Sequence, residues 1–204
     1  MKAILFVDGF NLYYRALRNT PYRWLDLLKL AQFLLPGHQI AAIRYYTAQV
    51  SALPGDPDKP TRQQLYLRAL RTIPNLTITY GQFRSHATRM PLAADPTRFA
   101  VVMRTDEKGS DVNLATHLVH LAARDQLELA AVISNDSDLA EPVRLVSREI
   151  GKPVTVLCPA EHPARELMRV ASTFKRIRAG VLRASQFPPS LTDGHGTFHK
   201  PASW

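Results

Sequence analysis

The sequence predicts an α/β protein with a mainly parallel central sheet and helices on both faces, because one pattern occurs three times. Ile4-Leu5-Phe6-Val7, Leu129-Ala130-Ala131-Val132-Ile133 and Val154-Thr155-Val156-Leu157-Cys158 are short runs that are almost wholly apolar. Runs of that length and composition suit strands buried on both faces. They end at Asp8, at Ser134-Asn135-Asp136-Ser137-Asp138 and at Pro159, and each is followed by helical spacing. Strands that alternate with helices form parallel sheets covered on both sides.

The other elements follow in order. Residues 24–35 have helical spacing, 40–47 read as a strand, 61–71 as a helix and 76–80 as a strand. Between them, Pro54-Gly55-Asp56-Pro57-Asp58-Lys59-Pro60 is a turn-rich loop. Residues 86–96 read as a loop or hairpin tip, with 99–104 as a short strand beside it. Gly109-Ser110-Asp111 opens the most regular helix, in which Val112, Ala115, Leu118, Val119 and Ala122 recur at three and four residues. Ser110 is placed as its N-cap. A helix over 139–148 ends at Gly151, a glycine suited to a C-cap, and another follows over 165–170. From Gln186 to Trp204 the composition turns to Pro, Gly, Ser, Thr and His without periodicity. The expected organisation is one domain over residues 1–185 and a flexible tail over 186–204.

Composition narrows the class. The chain has 204 residues, enough for one sizeable core, and 46% of them are hydrophobic against 21% charged, which excludes a disordered protein. There are 26 Lys and Arg against 17 Asp and Glu, a formal charge of +9. That excess favours a polyanionic partner. No apolar window reaches 18 residues and the start of the chain lacks a secretory pattern, so a cytoplasmic protein without a membrane partner is expected. The single cysteine, Cys158, excludes an internal disulfide and a cysteine-based zinc cluster. In an apolar strand it reads as a small buried hydrophobe.

Against this basic background the acids stand out. Asp8 closes the first strand, Asp136 and Asp138 follow another, and Asp111 lies in the first turn of a helix. In an open parallel sheet, binding residues gather at the carboxyl ends of strands. Carboxylates grouped there repel one another and resist desolvation unless a divalent cation neutralises them. An all-oxygen donor set suits Mg²⁺ or Mn²⁺ rather than zinc. Taken singly, each aspartate also fits a turn, a dipole or a capping role. It is the crowding of polar groups at two strand ends that points to a site.

Three stretches carry a resemblance. Phe6-Val7-Asp8-Gly9-Phe10-Asn11-Leu12, Glu107-Lys108-Gly109-Ser110-Asp111-Val112-Asn113-Leu114-Ala115 and Ser134-Asn135-Asp136-Ser137-Asp138-Leu139 are similar, in that order, to the signature blocks of NYN domains. These form the LabA-like branch of the PIN-like nuclease superfamily. The resemblance implies a Rossmann-like three-layer sandwich and a metal-dependent ribonuclease, cleaving RNA, expected to be single-stranded, by a metal-activated water. It implies Asp8, Asp111, Asp136 and Asp138 as metal-binding and catalytic acids, with Asn11 supporting them. Ser134 and Asn135 are auxiliary candidates. His117 stands where many such domains carry another aspartate. That departure leaves open a second reading, a non-catalytic RNA-binding or regulatory module.

Residues 44–104 hold nine basic and three acidic residues, and 165–183 hold six basic and one acidic. Such faces neutralise phosphates. Arg84, Arg104 and Lys108 precede the Asp111 helix and are the expected contacts to RNA or DNA, with Tyr13 and Tyr14 placed to stack on unpaired bases. Arg62, Arg68 and Arg71 read instead as the solvated face of a helix.

Overall fold

The computed structural model describes all 204 residues. Strand β1 (Lys2–Asp8) leads into helix α1 (Gly9–Leu12), which runs on through wider turns over Tyr13–Leu17. Then come α2 (Leu27–Leu34), β2 (Gln39–Thr47), α3 (Lys59–Leu70) and β3 (Leu76–Tyr80). A pair of long strands follows, β4 (Gln82–Leu92) and β5 (Asp95–Lys108), and then α4 (Ser110–Ala123). The second half carries β6 (Leu129–Ile133), α5 (Ala140–Arg144), β7 (Val154–Cys158), α6 (Arg165–Val170), β8 (Thr173–Arg176) and α7 (Ala179–Ala184). Strands β9 (Ser190–Asp193) and β10 (Gly196–His199) complete the chain.

Six strands form one sheet in the order β3-β2-β1-β6-β7-β8, with every neighbouring pair parallel. The two-residue period of β1 splits its side chains between two cores. Ala3, Leu5 and Val7 join α2, α3 and Trp24 on one face, while Ile4 and Phe6 join α4 and α5 on the other. This is the expected three-layer arrangement. Because the chain winds outward through β2 and β3 and then returns to β6 on the other side of β1, the strand order reverses between β1 and β6. A crevice opens at the carboxyl ends of strands at such a reversal, and Asp8 and Ser134 stand at that end.

Four details differ from the sequence reading. The span 86–104 is not a loop with a short strand. It lies within a continuous antiparallel arm from Gln82 to Lys108, paired along almost its whole length. The sequence there has no two-residue alternation, Phe99-Ala100-Val101-Val102-Met103 being one apolar run, because neither face of the arm is buried. The edge strand β8 escaped notice because Thr173-Phe174-Lys175-Arg176 is short and half charged. Ser110 is not the N-cap of α4. Gly109 takes that place with φ +94°, and Glu107 accepts both the Ser110 N–H and its hydroxyl (3.1 and 2.8 Å).

The fourth difference is the stretch 186–204, which is a docked hairpin rather than a flexible tail. Phe187 and Phe198 are buried beside Trp24, whose indole N–H donates to the Pro188 carbonyl (2.8 Å). Arg68 grips Asp193 through two nitrogens (2.8 and 2.7 Å) and lies 4.2 Å over the Phe198 ring. Three isolated aromatics, Phe187, Phe198 and Trp204, show no period, yet they supply enough apolar surface to anchor the segment. Arg68 therefore does more than solvate its helix. By contrast Gly151, at φ +76°, ends its helix as expected, and Cys158 is buried.

Candidate active site

Asp8 is the centre of the crevice and is 8% exposed. One oxygen accepts the Asn11 N–H (3.0 Å), capping α1, and the other accepts the Ser134 hydroxyl (3.0 Å). Ser134 Oγ in turn accepts the Asp136 N–H (3.1 Å), and Asp136 accepts the Asp138 N–H (3.1 Å). The Asn11 side-chain oxygen accepts the Asn135 N–H (3.0 Å). These bonds lash the turn after β1 to the turn after β6. Asn135 extends the lashing: its side-chain oxygen accepts from the Ala164 N–H (2.7 Å) and from the Cys158 thiol (3.3 Å), and its amide donates to the His162 carbonyl (3.0 Å). Asn11, Ser134 and Asn135 thus hold the two turns together.

The approach of α1 to the sheet depends on Gly9. A Cβ there would stand 2.6 Å from the Tyr45 hydroxyl and 2.8 Å from the Tyr46 carbonyl oxygen. Gly81 has the same duty below Glu107, where a Cβ would collide with the carboxylate and with the Lys108 carbonyl.

The cleft holds about 430 Å³ and brings together Asp8, Asp111, Asp136, Glu107, Arg15 and Arg18. Burial pushes the Asp8 carboxyl up to about 6; the Asn11 and Ser134 hydrogen bonds pull the other way, and the charges of Asp136 and Asp111 add to the rise. Arg15 and Arg18 pair with no carboxylate, so both can meet an anion. Glu107, Arg15 and Arg18 were missed in the sequence, although Asn11, Arg15 and Arg18 recur at four and three residues and share a helix face.

Other expected residues lie elsewhere. Asp138 is exposed and belongs to a separate hollow with Glu141, Arg144 and Arg169, because the turn after Asp136 rotates it away. His117 faces Tyr46, its Nδ1 3.0 Å from the phenol oxygen, and burial lowers its pKa. It packs α4 against the sheet and does not line the cleft. Tyr13 points to the opposite side of α1, while Tyr14 lines the cleft. Arg84, Arg104 and Lys108 ride on the β4–β5 arm outside the cleft, and Arg104 is paired with Asp106 (2.9 Å).

The carboxylates that the cleft brings together, and that could face a hard cation, are Asp8, Asp111 and Asp136, with Glu107 nearby. The four-aspartate set does not assemble, since Asp138 is absent from it. No three acidic, histidine or cysteine side chains in the structure gather into a compact metal cluster.

The model of the NYN domain family matches residues 2–178. The chain belongs to the NYN domain family. It is 29% identical, over its whole length and 75% of the other chain, to the 6-hydroxy-3-succinoylpyridine 3-monooxygenase HspA of Pseudomonas putida. The crystal structure of a protein of unknown function from Vibrio parahaemolyticus shares the fold, with a TM-score of 0.56 and 18% identity over 87% of this chain and 93% of that one. NYN domains fall within the PIN-like nuclease superfamily, and the central parallel sheet flanked by helices is the fold expected of it. No helix is long and apolar enough to cross a membrane.

Proposed function

We propose that this NYN domain is a divalent-cation-dependent nuclease that hydrolyses phosphodiester bonds of single-stranded RNA. One observation carries the reading: three aspartates from three separate elements converge on one cleft whose remaining charged walls include two unpaired arginines. Asp8, Asp136 and Asp111 would hold Mg²⁺ or Mn²⁺. When bound, that ion supplies Lewis acidity towards a phosphoryl oxygen and an acidified water. Arg15 and Arg18 bind the phosphate chain, with Arg18 lying 5.5 Å over the ring of the half-exposed Tyr14. Asn11 and Ser134 keep Asp8 from turning out of the cleft.

The test is cleavage of end-labelled single-stranded RNA with Mn²⁺ or Mg²⁺, beside Asp8→Asn, Asp136→Asn and EDTA controls. Loss of at least a hundredfold in rate in both variants supports the proposal. Equal cleavage by wild type and variants overturns it, and RNA binding without cleavage by wild type favours the regulatory reading. The whole-length similarity to a named pyridine monooxygenase favours another reading, oxygenation of a heteroaromatic ring. Consumption of dioxygen with that pyridine and a reduced nicotinamide or flavin donor, by a preparation that leaves RNA intact, selects it.

A further inference from the structure

On the far side of α1 from the acidic cleft lies a second hollow with the opposite character. Its walls include Tyr13, Tyr45, Tyr66 and Trp204, with Leu12 and Leu17 from α1 between them. Nine of its fifteen lining residues are hydrophobic and none is acidic, while Arg23, Lys59 and Arg62 are all present. Its volume is about 70 Å³, several times the roughly 10–15 Å³ that one water needs. That is about half the roughly 150 Å³ of an apolar cavity that encloses benzene, so at most one small ring enters it, partly enclosed, and a base pair or a helix is excluded.

The charges decide what kind of ring. Arg62 is held by Asp56 (2.5 Å), but neither Arg23 nor Lys59 has a carboxylate partner. Arg23 donates from Nη2 to the Ser203 carbonyl (2.6 Å), lies 5.7 Å over the Trp204 ring, and leaves a buried Nε without any partner. Two cations without a carboxylate partner thus line the hollow, with no acid among its lining residues. Buried donors without partners are uncommon in native proteins and call for a ligand or a water. Aromatic walls supply stacking and edge contacts to a flat π-system, and the cations supply the counter-charge.

We propose that this hollow is a binding site for one planar heteroaromatic ring carrying an anionic group, with the ring between Tyr13 and Trp204 and the anion at Lys59 and Arg23. The anion is the phosphate of a nucleotide or the carboxylate of a free heteroaromatic acid. Phe10 and Tyr14, four residues apart and stacked at 6.3 Å, line both hollows. A ring held here therefore lies against the wall of the acidic cleft. The ligand class does not rest on phosphodiester cleavage, since the contacts named lie outside the aspartate set.

Isothermal titration of the full chain in EDTA with uridine 5′-monophosphate and pyridine-3-carboxylate, and with their uncharged counterparts uridine and pyridine-3-carboxamide, tests the assignment. Saturable binding of at least one anion, at least tenfold tighter than its uncharged counterpart, is expected. Lys59→Met removes the free cation and weakens that binding at least fivefold. Val50→Trp, a half-buried position at the wall, fills the space and weakens it at least tenfold, with circular dichroism and melting verifying the fold. Asp8→Asn leaves it within twofold, so failure of cleavage and failure of ring binding are read separately. Nucleotide binding without acid binding identifies a base subsite, and the converse identifies a free acid as ligand; either upholds the proposal. Absence of saturable binding by every anion, or binding that neither Lys59→Met nor Val50→Trp alters, overturns it.

Discussion

On one side of α1, four carboxylates and two arginines face an open polar cleft; on the other, tyrosines and a tryptophan close a small hollow without a single acid. Both use the same helix, and both use Phe10 and Tyr14. The acidic side is held by hydrogen bonds that run from turn to turn, Asp8 to Ser134 and Asn11 to Asn135. The aromatic side is held by packing, and by a hairpin fastened through Arg68 and Asp193. The difference shows how one short helical segment borders two unlike hollows: Asn11, Arg15 and Arg18, at four- and three-residue spacing, share one face, while Leu12, Tyr13 and Leu17 face the other side.

Asp8→Asn separates the two sides most sharply. RNA cleavage falls at least a hundredfold while ring binding stays within twofold. The same variant is more stable. Ionising Asp8 in the folded state is resisted, since its carboxyl is raised from 3.8 to about 6. A raised acid favours the folded state in its protonated form, so wild type loses stability as pH rises from about 4 through about 6. In EDTA, denaturant melts show Asp8→Asn more stable by on the order of 2 kcal/mol at pH 8. At pH 4 the two differ little.

Gly9→Ala strikes both sides at once. The new methyl meets the Tyr45 ring and the Tyr46 backbone, and overpacking of this kind costs about 1–3 kcal/mol. A urea titration measures the loss, and cleavage and ring binding both weaken. Ser134→Ala is smaller and confined to the acidic side. Removing the hydroxyl that stabilises ionised Asp8 raises its carboxyl further, so the acidic limb of the cleavage–pH profile moves to higher pH. An unchanged limb means Asp8 does not set it. His117→Ala is smallest: it removes a half-exposed contact to Tyr46 and costs about 1 kcal/mol of stability. Cleavage is unchanged, which separates a packing histidine from a ligand.

Much of this was legible in the chain. The buried strands β1, β6 and β7, the parallel sheet and the placing of Asp8 and Asp136 follow from runs of buried β-rich residues that end in polar or acidic turns, and the placing of Asp111 follows from the regular helix it opens. Asp138 was misplaced because sequence proximity to Asp136 says nothing about which way a tight turn directs the next side chain. Arg15 and Arg18 were overlooked because basic residues in a basic chain carry no contrast until a helix face gathers them. The aromatic hollow was not legible at all. It joins Tyr13, Tyr45, Tyr66 and Trp204 from four distant segments, which no local period connects. The docked hairpin was hidden for the same reason.

The β4–β5 arm is continuous with the cleft. At roughly 3.4 Å per residue, its fourteen-residue strand reaches about 45 Å, as far as a small domain is wide. Six of its large apolar side chains are exposed, among them Val101 at 72% and Met103 at 70%. Its root is gripped at Phe83, which packs against Phe10 at 5.6 Å, and at Glu107, which fastens the start of α4. Lys108 and Gly109 then pass directly into Ser110 and Asp111. The arm therefore runs without a break into the helix that carries Asp111, so the exposed apolar strand and one wall of the acidic cleft are a single stretch of backbone.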